Sequence, residues 1–174
     1  MYRAMEGFTV SSGPLPDGDQ GTRKTLDNMR RLADEGSRDL AVRGTAASVV
    51  RSSGAPPHNP LAQTQALFEY VRDCIFFLSD PAGTEWLQSP RYTLASGAGD
   101  CDDRATLLAS MLRSIGITSQ FKVVAVDPAR RDTFSHVYLV ANVMGRPVAL
   151  DPTYPQNLMG FEYPNPYRSA MVSA

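Results

Sequence analysis

Cysteine and histidine are both scarce in this 174-residue chain, with two of each. Cys74 and Cys101 are too few for a disulfide framework, so a reduced compartment fits best. With His58 and His136 scattered among them, no ligand pairs suit zinc, and no metal or cofactor is expected. Positive charge is not in excess: 17 Lys and Arg face 18 Asp and Glu, for a net charge of -1. That balance argues against a nucleic-acid surface, which must neutralise phosphates. The nearest basic grouping, Arg23, Lys24, Arg30 and Arg31, is interrupted by Asp27, Asp34 and Glu35 and reads as a solvated helix face. No apolar run approaches the ~20 residues of a membrane span, and no signal-like leader opens the chain. The expectation is a chain made and kept in the cytoplasm, or carried out within a particle. The absence of a Gly-x-Ser-x-Gly elbow excludes the usual serine-hydrolase arrangement.

What is present suits one globular domain: 43% hydrophobic and 20% charged residues, with no internal repeat. Glycine, proline and small polar residues over 1–21 predict an extended N-terminal arm, followed by a single domain over 22–174. Thr22 is placed to cap a helix bearing Leu26, Met29, Leu32 and Ala33 and ending at Gly36. A second helix is expected from about Asp39 to Val50, with Leu40, Val42, Ala46, Ala47 and Val50 available for burial. Asn59-Pro60 opens a third, whose Leu61, Leu67, Phe68 and Val71 face the core. The run Cys74 to Leu78 reads as strand-like, with Cys74 a small buried hydrophobe. After Thr153 the chain is rich in proline, tyrosine and asparagine, which predicts an irregular tail covering one edge of a cleft and fraying beyond Arg168.

The most informative stretch is Gly97-Ala98-Gly99-Asp100-Cys101-Asp102-Asp103. Asp100 is a good N-cap, which puts Cys101 in the first turn of a buried central helix carrying Ala105, Leu108, Leu112 and Ile115. Free N–H groups and the helix dipole at that end favour a thiolate. Asp102 and Asp103 read as helix-start carboxylates that face solvent, and a calcium loop is rejected because Ala105 and Met111 occupy the positions that need glycine and glutamate. A base for the thiol must be a histidine. His58 lies in a proline-rich linker, whereas His136 lies in a strand whose Val137, Leu139, Ala141 and Val143 form one apolar face. A Met144-Gly145 hairpin loop pairs Val143 with Arg146 and Leu139 with Leu150, bringing Asp151 opposite Tyr138 and within reach of His136. Cys101, His136 and Asp151 thus make a candidate nucleophile, base and orienting acid.

The order of these motifs resembles the core of the transglutaminase-like superfamily: Gly99 to Asp103 opening a helix, Ser135-His136-Val137 in a strand, and Leu150 to Thr153 ending the next. The likeness extends through Glu85-Trp86-Leu87-Gln88-Ser89-Pro90, and in its longer form resembles small phage and prophage members. It implies an α+β fold with a papain-like core: N-terminal helices and a central helix starting at the cysteine, packed on an antiparallel sheet. It also implies acyl transfer on an amide of a protein or peptide, either hydrolysis or transfer to an amine. Gln88 is a candidate oxyanion donor, and Trp86 either packs in the core or walls the cleft. The alternative is a non-catalytic virion component using the fold as a scaffold, with the N-terminal arm contacting other phage structural proteins.

Overall fold

A computed structural model describes residues 2–5, 8–13, 18–80 and 85–174. Two short strands, β1 (Tyr2–Met5) and β2 (Phe8–Gly13), pair antiparallel, and β2 pairs in turn with β4 (Glu85–Gln88). The first helix, α1, runs Asp19–Gly36 and so begins before Thr22; Gly18 holds the N-cap position without a side-chain bond. Its buried stripe is Leu26, Met29, Leu32 and Ala33, as the three-to-four spacing requires. Gly36 does more than stop the helix. A Cβ there would lie 2.6 Å from Pro90 Cγ and 2.7 Å from Ser110 Oγ, so only glycine permits this approach.

Helix α2 (Leu40–Ser52) is capped by Asp39, whose carboxylate accepts from the N–H groups of Ala41 and Val42. It buries Val42 and Ala46 while Leu40 and Ala47 stay exposed, a narrower stripe than the sequence allows. Helix α3 (Pro60–Cys74) is capped by Asn59 and buries Leu67, Phe68 and Val71, with Leu61 exposed. The strand-like run splits: Cys74 ends α3 and is exposed, and Phe76–Phe77 form the short strand β3. Cys74 is therefore not an apolar core residue. Only Ile75 of this run enters the core, and Phe76 is 75% exposed.

After β4, Ser89 caps the seven-residue helix α4 (Pro90–Ser96), which ends in left-handed Gly97. Strand β5 (Ala98–Gly99) then pairs parallel with β3 and delivers the chain to α5 (Cys101–Ser114). Every residue from Asp103 to Leu112 is buried, so α5 is the axis of the molecule, touching α1, α3 and the main sheet.

That sheet has the order β8-β7-β6-β9 and is antiparallel throughout. Its strands are β6 (Ser119–Ala125), β7 (His136–Val143), β8 (Arg146–Leu150) and β9 (Arg168–Ser173). The β7–β8 hairpin has the expected register, Val143 opposite Arg146 and Leu139 opposite Leu150. Met144 at φ 54° and Gly145 at φ 81° give the doubly left-handed turn that suits a two-residue hairpin loop. Val137, Leu139, Ala141 and Val143 join the main core, while Tyr138 and Val140 lie in a second cluster on the other face. The tail does not fray beyond Arg168: β9 completes the sheet, with Val172 packed on the core. The result is the α+β architecture expected, five helices with a four-stranded antiparallel sheet. Among the described residues no helix is long and apolar enough to cross a membrane.

Candidate active site

The thiol is positioned from β5 and the cap. Asp100 accepts from the N–H groups of Asp102 at 3.0 Å and Asp103 at 3.3 Å, which starts α5 with Cys101 as its first residue. Such a cap is worth about 1 kcal/mol. The Cys101 sulfur donates to Asp102 Oδ1 at 3.3 Å, and the Val137 backbone N–H is directed at the same sulfur. Burial pushes the thiol well above its ordinary value, and the charges of Asp102 and Asp100 push it further; the Val137 N–H acts weakly against them. This differs from the thiolate that a helix N-terminus alone would favour. The reason is burial first and then the neighbours, since Asp102 turns toward the sulfur and Asp100 stands beside it. Asp103, 1% exposed, turns inward rather than to solvent.

His136 opens β7 and is 8% exposed. Its Nε2 lies 2.9 Å from Asp151 Oδ2, just past the end of β8, as the hairpin register requires. Asp151 is fully buried, and its Oδ1 accepts from the Thr153 N–H at 3.0 Å. Burial opposes its charge, but the bonds from His136 and Thr153 outweigh that cost and hold its carboxyl below the usual range.

Cys101 and His136 line one cleft of about 360 Å³. One wall is the start of α1, with Gly21, Thr22 and Thr25, and the other is the Thr133–Ser135 approach to β7. Arg168 ties the walls together. Its guanidinium makes two bonds to Asp19 on α1, at 3.0 and 2.9 Å, bonds the Asp132 carbonyl, and lies 4.6 Å from the centre of the Phe134 ring. A larger cavity, about 530 Å³, sits at the other end of the sheet near Arg113, Thr118 and Asn142, and no cysteine or histidine lines it.

Gln88 and Trp86 do not line the thiol cleft. Trp86 is 44% exposed on β4, so the core-packing alternative for it fails. Gln88 is buried; its backbone N–H donates to Asp103 Oδ1 at 2.7 Å, and its Oε1 accepts from Thr93 Oγ1 at 3.5 Å. Two charged residues missed in the sequence stand out here. Asp103 ties β4 to the cysteine helix. Arg104, 2% exposed, donates to the carbonyls of Val71, Arg72 and Thr153, joining α3, α5 and the loop after Asp151. The apolar run from Ala105 onward was the available signal, since a helix buried all round leaves its first polar residues no route to water. Asp100, Cys101 and Asp102 place their donor atoms within 4.8 Å of one another, yet these groups already bond each other and the backbone as cap and thiol acceptor.

The fold is α+β, with a central helix that begins at a cysteine and a cleft that this cysteine shares with a histidine bonded to a buried aspartate. Residues 47–147 match the transglutaminase-like superfamily, and the chain belongs to it. Both Cys101 and His136 fall within that span, and Asp151 lies just beyond it. Among solved structures, it is similar to a "putative protease" from Parabacteroides distasonis, at 16% identity and a TM-score of 0.56 over 79% of this chain. It is also similar to a "putative cysteine protease" from Cytophaga hutchinsonii, at 15% identity and a TM-score of 0.47 over 96% of this chain. The chain spans 30% of the first protein and 62% of the second. No curated protein matches the sequence. The phage association finds no support in these likenesses.

Proposed function

We propose that this protein is a cysteine-dependent acyl-transfer enzyme that acts on an amide of a protein or peptide, with Cys101 as nucleophile, His136 as base and Asp151 as orienting acid. Family membership supports the general class, a cysteine-dependent hydrolase or acyltransferase. The observation that carries the assignment is the 2.9 Å bond from His136 Nε2 to buried Asp151, in a histidine that shares a cleft with Cys101. With Nε2 bonded to the carboxylate, Nδ1 is the nitrogen left to take the thiol proton.

Burial and the carboxylates of Asp102 and Asp100 disfavour the thiolate, so a base is needed beside the sulfur. His136 takes the thiol proton and the sulfur attacks the carbonyl carbon. The imidazolium returns that proton to the leaving nitrogen, the C–N bond breaks, and an acyl-thioester on Cys101 remains. Water yields hydrolysis; an amine yields transfer. The Cys101 N–H is the proposed oxyanion donor, since Gln88 is buried outside the cleft that holds the thiol.

The test uses Cys74→Ser protein, since exposed Cys74 would otherwise dominate labelling. Carboxamidomethylation of Cys101 is followed by intact mass against pH, with and without His136→Ala. The enzyme reading expects His136→Ala to slow labelling near neutrality by roughly 100-fold, within the range of general-base contributions. A rate independent of His136 would favour the scaffold alternative, to which the raised thiol already lends weight.

A further inference from the structure

The segment after Asp151 lies beyond the family match, which ends at residue 147, and it supplies hydrogen bonds and rings to the His–Asp pair. Asn157 Nδ2 donates to Asp151 Oδ2 at 2.9 Å, and the Tyr163 hydroxyl donates to the same oxygen at 3.0 Å. His136 also approaches that oxygen, so three groups converge on one atom. Asn157 is 4% exposed and reaches back to the Asp151 carbonyl at 3.4 Å. Rings from the same segment enclose the imidazole, with Tyr163 edge-on at 5.1 Å and Tyr154 at 6.0 Å.

The segment is held on three sides. Arg72 on α3 donates to the Asn157 carbonyl at 3.0 Å, and Gly160 N–H donates to Ala149 on β8 at 2.8 Å. Glu162 accepts from Tyr138 on β7 at 2.8 Å and pairs with Lys122 on β6. Nothing about a surface tail demands that its amide and hydroxyl be spent on a single carboxylate oxygen.

Resting on the triad reading above, we infer that Asn157 and Tyr163 are positioning residues of the reaction: they fix the plane of Asp151 and keep it ionised, so that His136 retains its proton on Nε2 and offers Nδ1 to Cys101. A buried carboxylate facing only an imidazole would compete with it for that proton; two further donors remove the competition. The groups facing Asp151 are His136 and Tyr138 from β7, Arg104 from α5, and Tyr163 and Asn157 from the segment. Arg104 spends its bonds on carbonyls, so it acts on Asp151 only through its charge.

Tyr163→Phe and Asn157→Leu, each in the Cys74→Ser background, test this by two readouts. One is the titration of the Asp151 carboxyl by carbon-13 NMR, and the other is the pH profile of Cys101 carboxamidomethylation. Each variant should move the Asp151 midpoint upward, carry the acid limb of the labelling profile with it, and lower plateau labelling about tenfold, the worth of one hydrogen bond to a charged group. A lower melting temperature with both profiles unmoved would overturn the inference, since that is what mere packing predicts. If Asn157→Leu fails to fold, Tyr163→Phe decides alone, because it removes one oxygen and keeps the ring. The carboxyl titration is read whether or not the thiol reacts. A shifted midpoint beside a His136-independent labelling rate would thus retain the role at Asp151 and reject the triad.

Discussion

Two carboxylates are fully buried within the candidate site, and the fold treats them in opposite ways. Asp151 receives donors from His136, Asn157, Tyr163 and the Thr153 backbone, and is held below the usual carboxylate range despite its burial. Asp103 receives the Gln88 N–H on one oxygen, while its other oxygen has no hydrogen-bond partner. Burial pushes Asp103 well above that range, and the charges of Asp100 and Asp80 add to the push. Depth alone therefore does not decide ionisation; the supply of donors does. The same contrast separates the two halves of the site. The histidine half is rich in donors, and the thiol half is rich in acceptors.

The largest expected effect comes from breaking the donor-rich side. Asp151→Asn should keep the fold and cut any acyl-transfer rate by roughly 10⁴-fold, as loss of the correct tautomer does in other triads. The check is turnover of a cleavable peptide beside a melting curve; a folded variant of unchanged activity would remove Asp151 from the mechanism.

Asp103→Asn sharpens the comparison through the sign of its pH dependence. A carboxyl raised on folding binds its proton more tightly in the folded state, so it costs stability once pH rises above its unfolded value near 3.8. Asn copies the protonated acid. The variant should therefore melt above the parent at neutral pH, by roughly 3 °C, with the gain vanishing on acidification toward that unfolded value. Asp151 contributes in the opposite sense: its stabilisation is present above the ordinary carboxylate range and lost as pH falls through its lowered folded value. Thermal melts across pH of Asp103→Asn and Asp151→Asn should diverge in opposite directions from the parent.

The smallest effect is expected at the exposed bridge. Arg168→Ala should shift the melting temperature by about 1 °C or less, and the difference should fade in high salt. KM is the quantity expected to rise, because Arg168 links Asp19 at the start of α1 to Phe134 on the opposite cleft wall.

How much of this was legible in the sequence depends on the range of the interactions. The Asp100 cap, the start of α5, the hairpin register and the meeting of His136 with Asp151 all follow from local rules of spacing and turn geometry, and the structure keeps them. What failed to show was set by distant partners. The apolar neighbours of Cys74 predict a core position, but α3 carries it to the surface. Arg168 to Ser173 alternates too weakly to announce a strand, yet β6 has a free edge that accepts it. Asp103 reads as a solvent-facing carboxylate until one knows that α5 is buried all round from Asp103 to Leu112, Arg104 included. Asn157 and Tyr163 sit in a proline-rich stretch without periodicity, so only the folded chain shows where their donors point.

The glycine contact at the end of α1 makes that helix a lever. Gly36 bears directly on Pro90 and Ser110 with no side chain to act as a cushion, which fixes a fulcrum at one end. Gly21, on the cleft wall, lies about 22 Å along the axis from that point, so a tilt of about 5° at the fulcrum displaces the wall by about 2 Å. At the far end Asp19 pairs with Arg168. Any tilt of α1 about the Gly36 contact would therefore change the width of the cleft that Cys101 and His136 line, and that pair would oppose it.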